Sequence, residues 1–104
     1  MEFHVEQQED KSVIIIDKSN IVGPEAGGIQ NAVLDLIEKD AKIIVLDLSK
    51  VEYISSYGIG MLMYAHTTCV KRNIEFQVAG VSKKVLEILK IVHLDEFLKI
   101  QGAI

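Results

Sequence analysis

The residues with the chemistry to act on another molecule are few. Three histidines (His4, His66 and His93), one cysteine (Cys69) and a run of small polar groups, Ser55-Ser56-Tyr57-Gly58, are the candidates in a chain of 104 residues. Catalysis needs a nucleophile, a base and a group that positions them. His66 falls on the apolar face of an expected helix, where a satisfied core or boundary histidine fits better than a ligand. His93 falls at a helix end, where a cation complements the helix dipole without any further role. Cys69 sits in an apolar helical setting and reads as a small hydrophobe, with no cationic or histidine-rich neighbourhood to activate it. Asp47 and Ser56 can be combined with a histidine into a triad only on paper, and no Cys/His spacing resembles a metal site. Gly58-Ile59-Gly60, at a helix start, offers backbone N–H groups to an anion. It lacks the full glycine-rich pattern and the lysine of a nucleotide loop, so weak nucleotide binding is the most it supports. The expectation is a protein that is not an enzyme and holds no metal or cofactor.

The small-residue turn is the feature left over. A serine at the N-cap accepts a hydrogen bond from an early helical N–H, worth about 1 kcal/mol. That explains one hydroxyl. It does not explain a run of small groups with an aromatic residue at a helix entrance. Plain capping, and capping combined with recognition of a partner, both fit the residues.

The surrounding pattern says what positions this turn. Phe3 and Val5 alternate with polar residues as in a short edge strand, and Val13 to Ile16 is a continuous β-branched strand. The polar turn from Gln7 to Lys11 is short enough to make the two an antiparallel hairpin. After a loop from Asp17 to Gly23, Pro24 suits the first position of a helix reaching about Lys39. Its core stripe is Ile29, Ala32, Val33, Leu36 and Ile37. Gly27 and Gly28 either allow close approach to the sheet or mark a later helix start. Ile43 to Leu48, apolar except for Asp47, predicts a central strand covered on both faces. A connection from Ser49 to Tyr53 leads into the turn, and the spacing predicts a helix over 56–72, with Ile59, Leu62, Met63, His66, Cys69 and Val70 inward. Asn73 is its stop. Ile74 to Ala79 reads as a strand ended by Gly80. Ser82 is the N-cap of a helix through Ile91, with Val85, Ile88, Leu89 and Val92 inward. A short terminal element from His93 to Ile100 packs back through Leu94, Phe97 and Leu98.

Alternating helices and buried strands after an opening hairpin predict an α/β fold: a mixed, mostly parallel sheet with an N-terminal antiparallel hairpin and helices packed on it. The length suits a single domain over 1–104. A hydrophobic fraction of 49% supports a packed core. Net charge is −4, and no basic run exceeds two residues, so neither nucleic acid nor an anionic membrane surface is an expected partner. No apolar run approaches the ~20 residues of a membrane span, and the acidic N-terminus is not a signal peptide. With a single cysteine, a cytoplasmic setting is expected.

The segment Asp47-Leu48-Ser49-Lys50-Val51-Glu52-Tyr53-Ile54-Ser55-Ser56-Tyr57-Gly58-Ile59-Gly60 resembles, without gaps, the signature of STAS domains, specifically of bacterial anti-sigma factor antagonists. That signature runs Asp-Leu-Ser, spaced Val and Ile or Met, then Asp-Ser-Ser/Ala-Gly-Leu-Gly. A closing block from Leu89 to Ile100 matches as well. The resemblance implies a STAS fold and a protein-interaction module that binds an anti-sigma factor, often a serine-protein kinase of the histidine-kinase-like ATPase type, and so regulates transcription. The implied partner-binding residues are Ser55, Ser56, Tyr57, Gly58 and Ile59. Phosphorylation of a serine at the helix start breaks such complexes. Here the pattern departs: Ser55 stands where the family has Asp, Ser56 matches its first serine, and Tyr57 stands where the phosphorylated serine usually sits. The loop before Pro24 also lacks the usual Gly-x-Leu/Ile-Asp pattern. The resemblance leaves Ser56 as the phosphorylation candidate, Tyr57 as an aromatic anchor in an unswitched domain, or a scaffold or sensor subunit of a larger signalling assembly.

Overall fold

The computed structural model describes residues 3–94 and 99–100, with no side-chain description for 24, 25, 99 and 100. The opening hairpin forms from β1 (Phe3–Gln8) and β2 (Lys11–Ile16), in unbroken antiparallel register from Phe3 opposite Ile16 to Gln8 opposite Lys11. The strand runs further toward the turn than the polar residues suggest, because Glu9, at φ 55°, reverses the chain within two residues. After β3 (Asn20–Ile21) comes α1 (Pro24–Glu38), with Pro24 in its first turn. Then follow β4 (Ile43–Asp47), β5 (Tyr53–Ile54), α2 (Ser56–Lys71), β6 (Glu75–Ala79), α3 (Lys83–Ile91) and β7 (Lys99–Ile100).

The main sheet has the order β1-β2-β4-β6-β7, antiparallel at the hairpin and parallel from β2 onward. β4 is central, as its apolar run implies. The helices, however, bury their side chains on one face only. Ile14, Ile16, Ile44, Leu46, Phe76 and Val78 from the strands join Ile29 and Val33 of α1, Leu62 and Cys69 of α2, and Val85 and Leu89 of α3 in one core cluster. Val13, Val45 and Ala79 form a separate small cluster, which period-two alternation places on the opposite face, with Ile15 and Ile43 packed against it. β4 is thus buried on both faces, as its apolar run predicts, but among the described residues helices cover only one of them. A continuous β-branched run satisfied a helix-covered face and a narrow second patch equally well.

The face of α2 is rotated from the sequence reading, whereas that of α3 agrees with it except at Val92. In α2 the buried residues are Gly58, Met61, Leu62, Ala65 and Cys69, and Val70 is exposed. In α3, Val92 is exposed at the C-cap while Val85 and Leu89 are buried. Small residues, Gly58 and Ala65, allow α2 to sit close to its neighbours, and bulk alone misplaced the stripe. Gly27 and Gly28 mark no late start, since α1 begins at Pro24. Leu94 is buried as expected; Phe97 and Leu98 lie outside the described residues.

The helices α1, α2 and α3 end alike. Asp40, Asn73 and His93, each just past a helix, have φ of 61°, 60° and 61°. These are left-handed terminators that close the last turn through backbone N–H bonds to carbonyls in it. The structure thus gives His93 a backbone role that its position at a helix end did not reveal.

Candidate functional site

The turn at Ser55 is built from below by a second, two-stranded sheet that the sequence did not reveal. β3 pairs in parallel with β5, Asn20 with Tyr53 and Ile21 with Ile54. Ser19 carbonyl accepts from the N–H groups of Glu52 and Tyr53 at 2.7 and 3.1 Å, and Ile21 carbonyl accepts from Ser55 N–H at 2.9 Å. Two-residue strands carry too little pattern to be read from sequence. Their effect is to pin the chain entering α2 to the loop after β2.

The Asp-Leu-Ser block has a plain structural role. Asp47 Oδ1 accepts from Ser49 N–H at 2.8 Å, turning the chain at the end of β4. Leu48 N–H donates to Ala79 carbonyl at 2.9 Å, and Leu48, Val51 and Ile54 are fully buried. Gly80, at φ +68°, packs against this turn so closely that a Cβ would lie 2.9 Å from Ser49 Cβ and 3.1 Å from Asp47 Oδ1.

At the helix entrance the two serines have separate roles. Ser55 is the N-cap: its Oγ accepts from Gly58 N–H at 3.3 Å, and its backbone is extended, at φ −83° and ψ 174°. Ser56 is the first helical residue, exposed, with no hydrogen bond to its hydroxyl among the described residues. Gly58 is buried, and a Cβ there would come within 2.6 Å of Ile54 Cγ1 and 3.1 Å of Ile21 carbonyl. It is the contact that seats α2 on the small sheet. Ile59 packs against the core. Of the five residues singled out by sequence, Ser56 and Tyr57 are exposed, Ser55 caps, and Gly58 and Ile59 support from beneath. Tyr57 is 63% exposed, and Tyr53 and Val22, both 49% exposed, belong to the same loops. A cleft of about 320 Å³, lined by Gln30, Ser56, Tyr57, Gly60 and Met61, runs between α1 and the start of α2. Val22, Gln30 and Tyr53 were missed because a loop residue, a polar position on a helix and a two-residue strand carry no periodic signal of their own.

An ion network braces the loops behind the turn. Asp17, just after β2, accepts from His4 Nδ1 at 2.5 Å and from Lys50 Nζ at 2.9 Å, and His4 Nε2 lies 3.2 Å from Glu6. The hydrogen bond to Asp17 raises the His4 pKa, and the same bond, with that from Lys50, lowers that of Asp17. Burial pushes the Cys69 thiol up to about 11, which leaves it an unreactive core group. His66 is half-buried, and its Nδ1 is buried without a hydrogen-bond partner. The expectation of a satisfied histidine is therefore corrected at that atom among the described residues. Among the described residues no helix is long and apolar enough to cross a membrane.

Comparisons with known proteins bear on the whole chain. The model of the STAS domain family matches residues 3–104. Among solved structures, a candidate anti-sigma factor antagonist of Thermotoga maritima superposes with a TM-score of 0.83 at 24% identity, over 98% of this chain and 86% of that one. An anti-sigma factor antagonist of Mycobacterium paratuberculosis gives 0.82 at 21% identity, over 94% and 82%. The phosphorylated form of the Bacillus cell fate determinant SpoIIAA gives 0.75 at 13% identity, over 98% and 91%. At these identities the structures bear on the fold, and the TM-scores show that this chain shares it. With the family model spanning nearly its full length, the chain belongs to the STAS domain family.

Proposed function

We propose that this STAS domain is an anti-sigma factor antagonist-like interaction module. It docks an anti-sigma factor, or a serine-protein kinase of the ATPase type, through the entrance of α2 and so regulates transcription. The observation that carries the reading is the arrangement at that entrance. Ser56 and Tyr57 stand exposed on a turn braced by a second sheet, and the buried glycine beneath them keeps the helix start in one place. Tyr57 has the size and amphipathic character of an interface anchor. The turn carries no catalytic group, so binding is the chemistry it supports.

Ser56 is the acceptor of the regulatory phosphate in this proposal. Ser55 spends its hydroxyl on Gly58 N–H, whereas the Ser56 hydroxyl is exposed. Phosphate adds about −1.5 to −2 charges. The helix dipole returns only ~0.3–1 kcal/mol of stabilisation. Like charges or desolvated charge brought into an interface cost several kcal/mol. At about 1.4 kcal/mol per tenfold in affinity, the interface effect dominates, and binding collapses while the domain stays folded.

Genome neighbours of the gene supply the candidate partner, and calorimetric titration of that partner tests the reading. Tyr57→Ala should weaken binding about tenfold or more, and incubation with the kinase and ATP should add one phosphate, absent in Ser56→Ala. Unchanged affinity for Tyr57→Ala refutes the docking surface. An unmodified chain under turnover conditions refutes the switch and leaves the docking role standing.

A further inference from the structure

The first strand leaves an edge unguarded. β1 borders the sheet, and its six residues pair with β2 on one side only among the described residues. Soluble proteins usually blunt such an edge with proline, lysine, a bulge or an inward-pointing charge. Phe-His-Val-Glu-Gln-Gln has no proline and no lysine, and its continuous register has no bulge.

The direction of the free backbone groups follows from the hairpin. A two-residue loop, Glu9-Asp10, joins the strands, with Gln8 and Lys11 as the closing pair. In such a hairpin the closing pair exchanges hydrogen bonds, and the exchange recurs at every second pair. Gln8, Glu6 and His4 therefore spend their N–H and C=O groups on β2. Those of Phe3, Val5 and Gln7 point to the open edge. Side chains alternate independently: Phe3, Val5 and Gln7 share the helix-covered face, and His4 and Glu6 the other. Gln7 Oε1 accepting from Ser12 Oγ at 2.9 Å agrees with that division.

We propose that β1 pairs antiparallel with β1 of a second copy of this chain, Val5 opposite Val5 on the two-fold axis, joining two five-stranded sheets into one. The register is selected by charge. With Val5 on the axis, His4, which also holds Asp17 and Glu6 of its own chain, faces Glu6 of the partner subunit, and Glu6 faces the partner's His4. Phe3 faces the partner's Gln7. Moving the axis by one residue, a slide of two, opposes two Glu6 carboxylates or two His4 rings; the first sets like charges directly opposite, which is destabilising, and both lose the His4–Glu6 pairing. The same register puts the three outward-facing residues against one another, so their backbone groups form six inter-subunit hydrogen bonds. It also covers Val5, 44% exposed in the single chain. No residue of the α2 entrance lies in β1, so the pairing leaves the docking turn free.

The pairing is small compared with a stable interface of ~1,200–2,000 Å² and should be weak. Sedimentation equilibrium up to millimolar concentration should show a monomer–dimer equilibrium, lost in Val5→Pro. That substitution removes only an outward N–H, so the hairpin survives, as circular dichroism would verify. Cross-linking tests the register without relying on affinity. Hydrogen-bonded pairs have Cα atoms about 5.5 Å apart, within disulfide range. Val5→Cys should oxidise to a covalent dimer faster than Gln7→Cys, while Phe3→Cys mixed with Gln7→Cys should form the mixed dimer. A chain monomeric throughout, with Val5→Cys no faster than Gln7→Cys, overturns the proposal. Association that persists undiminished in Val5→Pro overturns it too.

Discussion

Ser55 and Ser56 are adjacent and chemically identical, yet the structure gives them separable energetics. Ser55→Ala removes the one side-chain acceptor at the start of α2. N-cap losses of this kind cost ~0.5–2 kcal/mol. The Oγ to Gly58 N–H distance of 3.3 Å is at the long end for such a bond, which places the loss in the lower half, about 0.5–1 kcal/mol. For a domain near this size, 1 kcal/mol moves Tm by ~4–8 °C, so Ser55→Ala should melt roughly 2–8 °C lower. Ser56→Ala should leave Tm unchanged or slightly raised, because its hydroxyl is unpaired and Ala is the better helix former by a few tenths of a kcal/mol. Ser82→Ala serves as an internal standard, since Ser82 caps α3 through Val85 N–H at 3.2 Å and should lose a similar amount. Ser55→Asp restores the residue usual in the family. It keeps the cap and adds ~0.3–1 kcal/mol from the helix dipole, so its Tm should equal or exceed that of the parent chain above the carboxyl's pKa. Differential scanning calorimetry of the four variants checks the scheme. Equal Tm values for Ser55→Ala and the parent, or a loss at Ser56→Ala as large as at Ser55→Ala, would refute the division of roles.

Other positions give equally direct outcomes. Gly80→Ala combines a left-handed backbone at φ +68° with a Cβ 2.9 Å from Ser49 Cβ; strain and overpacking together should cost ~2–4 kcal/mol, read from the urea midpoint at unchanged slope. His93→Gly relieves a left-handed terminator at φ 61°, and after the added freedom of the unfolded chain should still gain about 0.5 kcal/mol, or roughly 2–4 °C. The pH dependence follows from the rim network. The His4 contribution, with its folded pKa raised, is complete below the ordinary value of 6.5 and fades as pH rises through the raised value; that of Asp17, lowered, is complete above 3.8 and fades as pH falls through the lowered value. Tm against pH should therefore show a contribution from this pair that is greatest between those two values, and His4→Gln should flatten the decline on the alkaline side.

The parts of the fold with periodic or capping signals were legible in the sequence. The hairpin, the central strand, Pro24 at a helix start, Ser82 as a cap and Asn73 as a stop all carry local chemistry that acts the same way in any context. The second sheet was not legible, because β3 and β5 are two residues each and exist only where the loop after β2 meets the loop after β4. The faces of α2 went astray for a related reason. Gly58 and Ala65 are buried because the helix lies close to its neighbours, a tertiary fact that hydrophobicity does not encode. At the site, sequence named the turn but not the division of labour within it. Only geometry separates a hydroxyl committed to Gly58 N–H from one that is exposed.

That division bears on the departure from the family pattern at Tyr57. Successive helical residues are about 100° apart around the axis and 1.5 Å apart along it. Moving the acceptor from position 57 to position 56 thus rotates the hydroxyl by more than a quarter turn while hardly shifting it along the helix. A kinase that accepts Ser56 must approach from a different side than one built for a hydroxyl at 57, with the Tyr57 ring standing at the edge of its path. The cleft between α1 and α2 is lined by both Ser56 and Tyr57. Partner and turn should therefore have changed together. A kinase matched to the usual serine should bind this domain poorly and modify it slowly, and Tyr57→Ser should improve it as a substrate for that kinase. If Tyr57→Ser instead abolishes modification by a kinase found to accept Ser56, Tyr57 helps to present Ser56. If it leaves both rate and affinity unchanged, the ring lies over the first helical turn and contributes to neither.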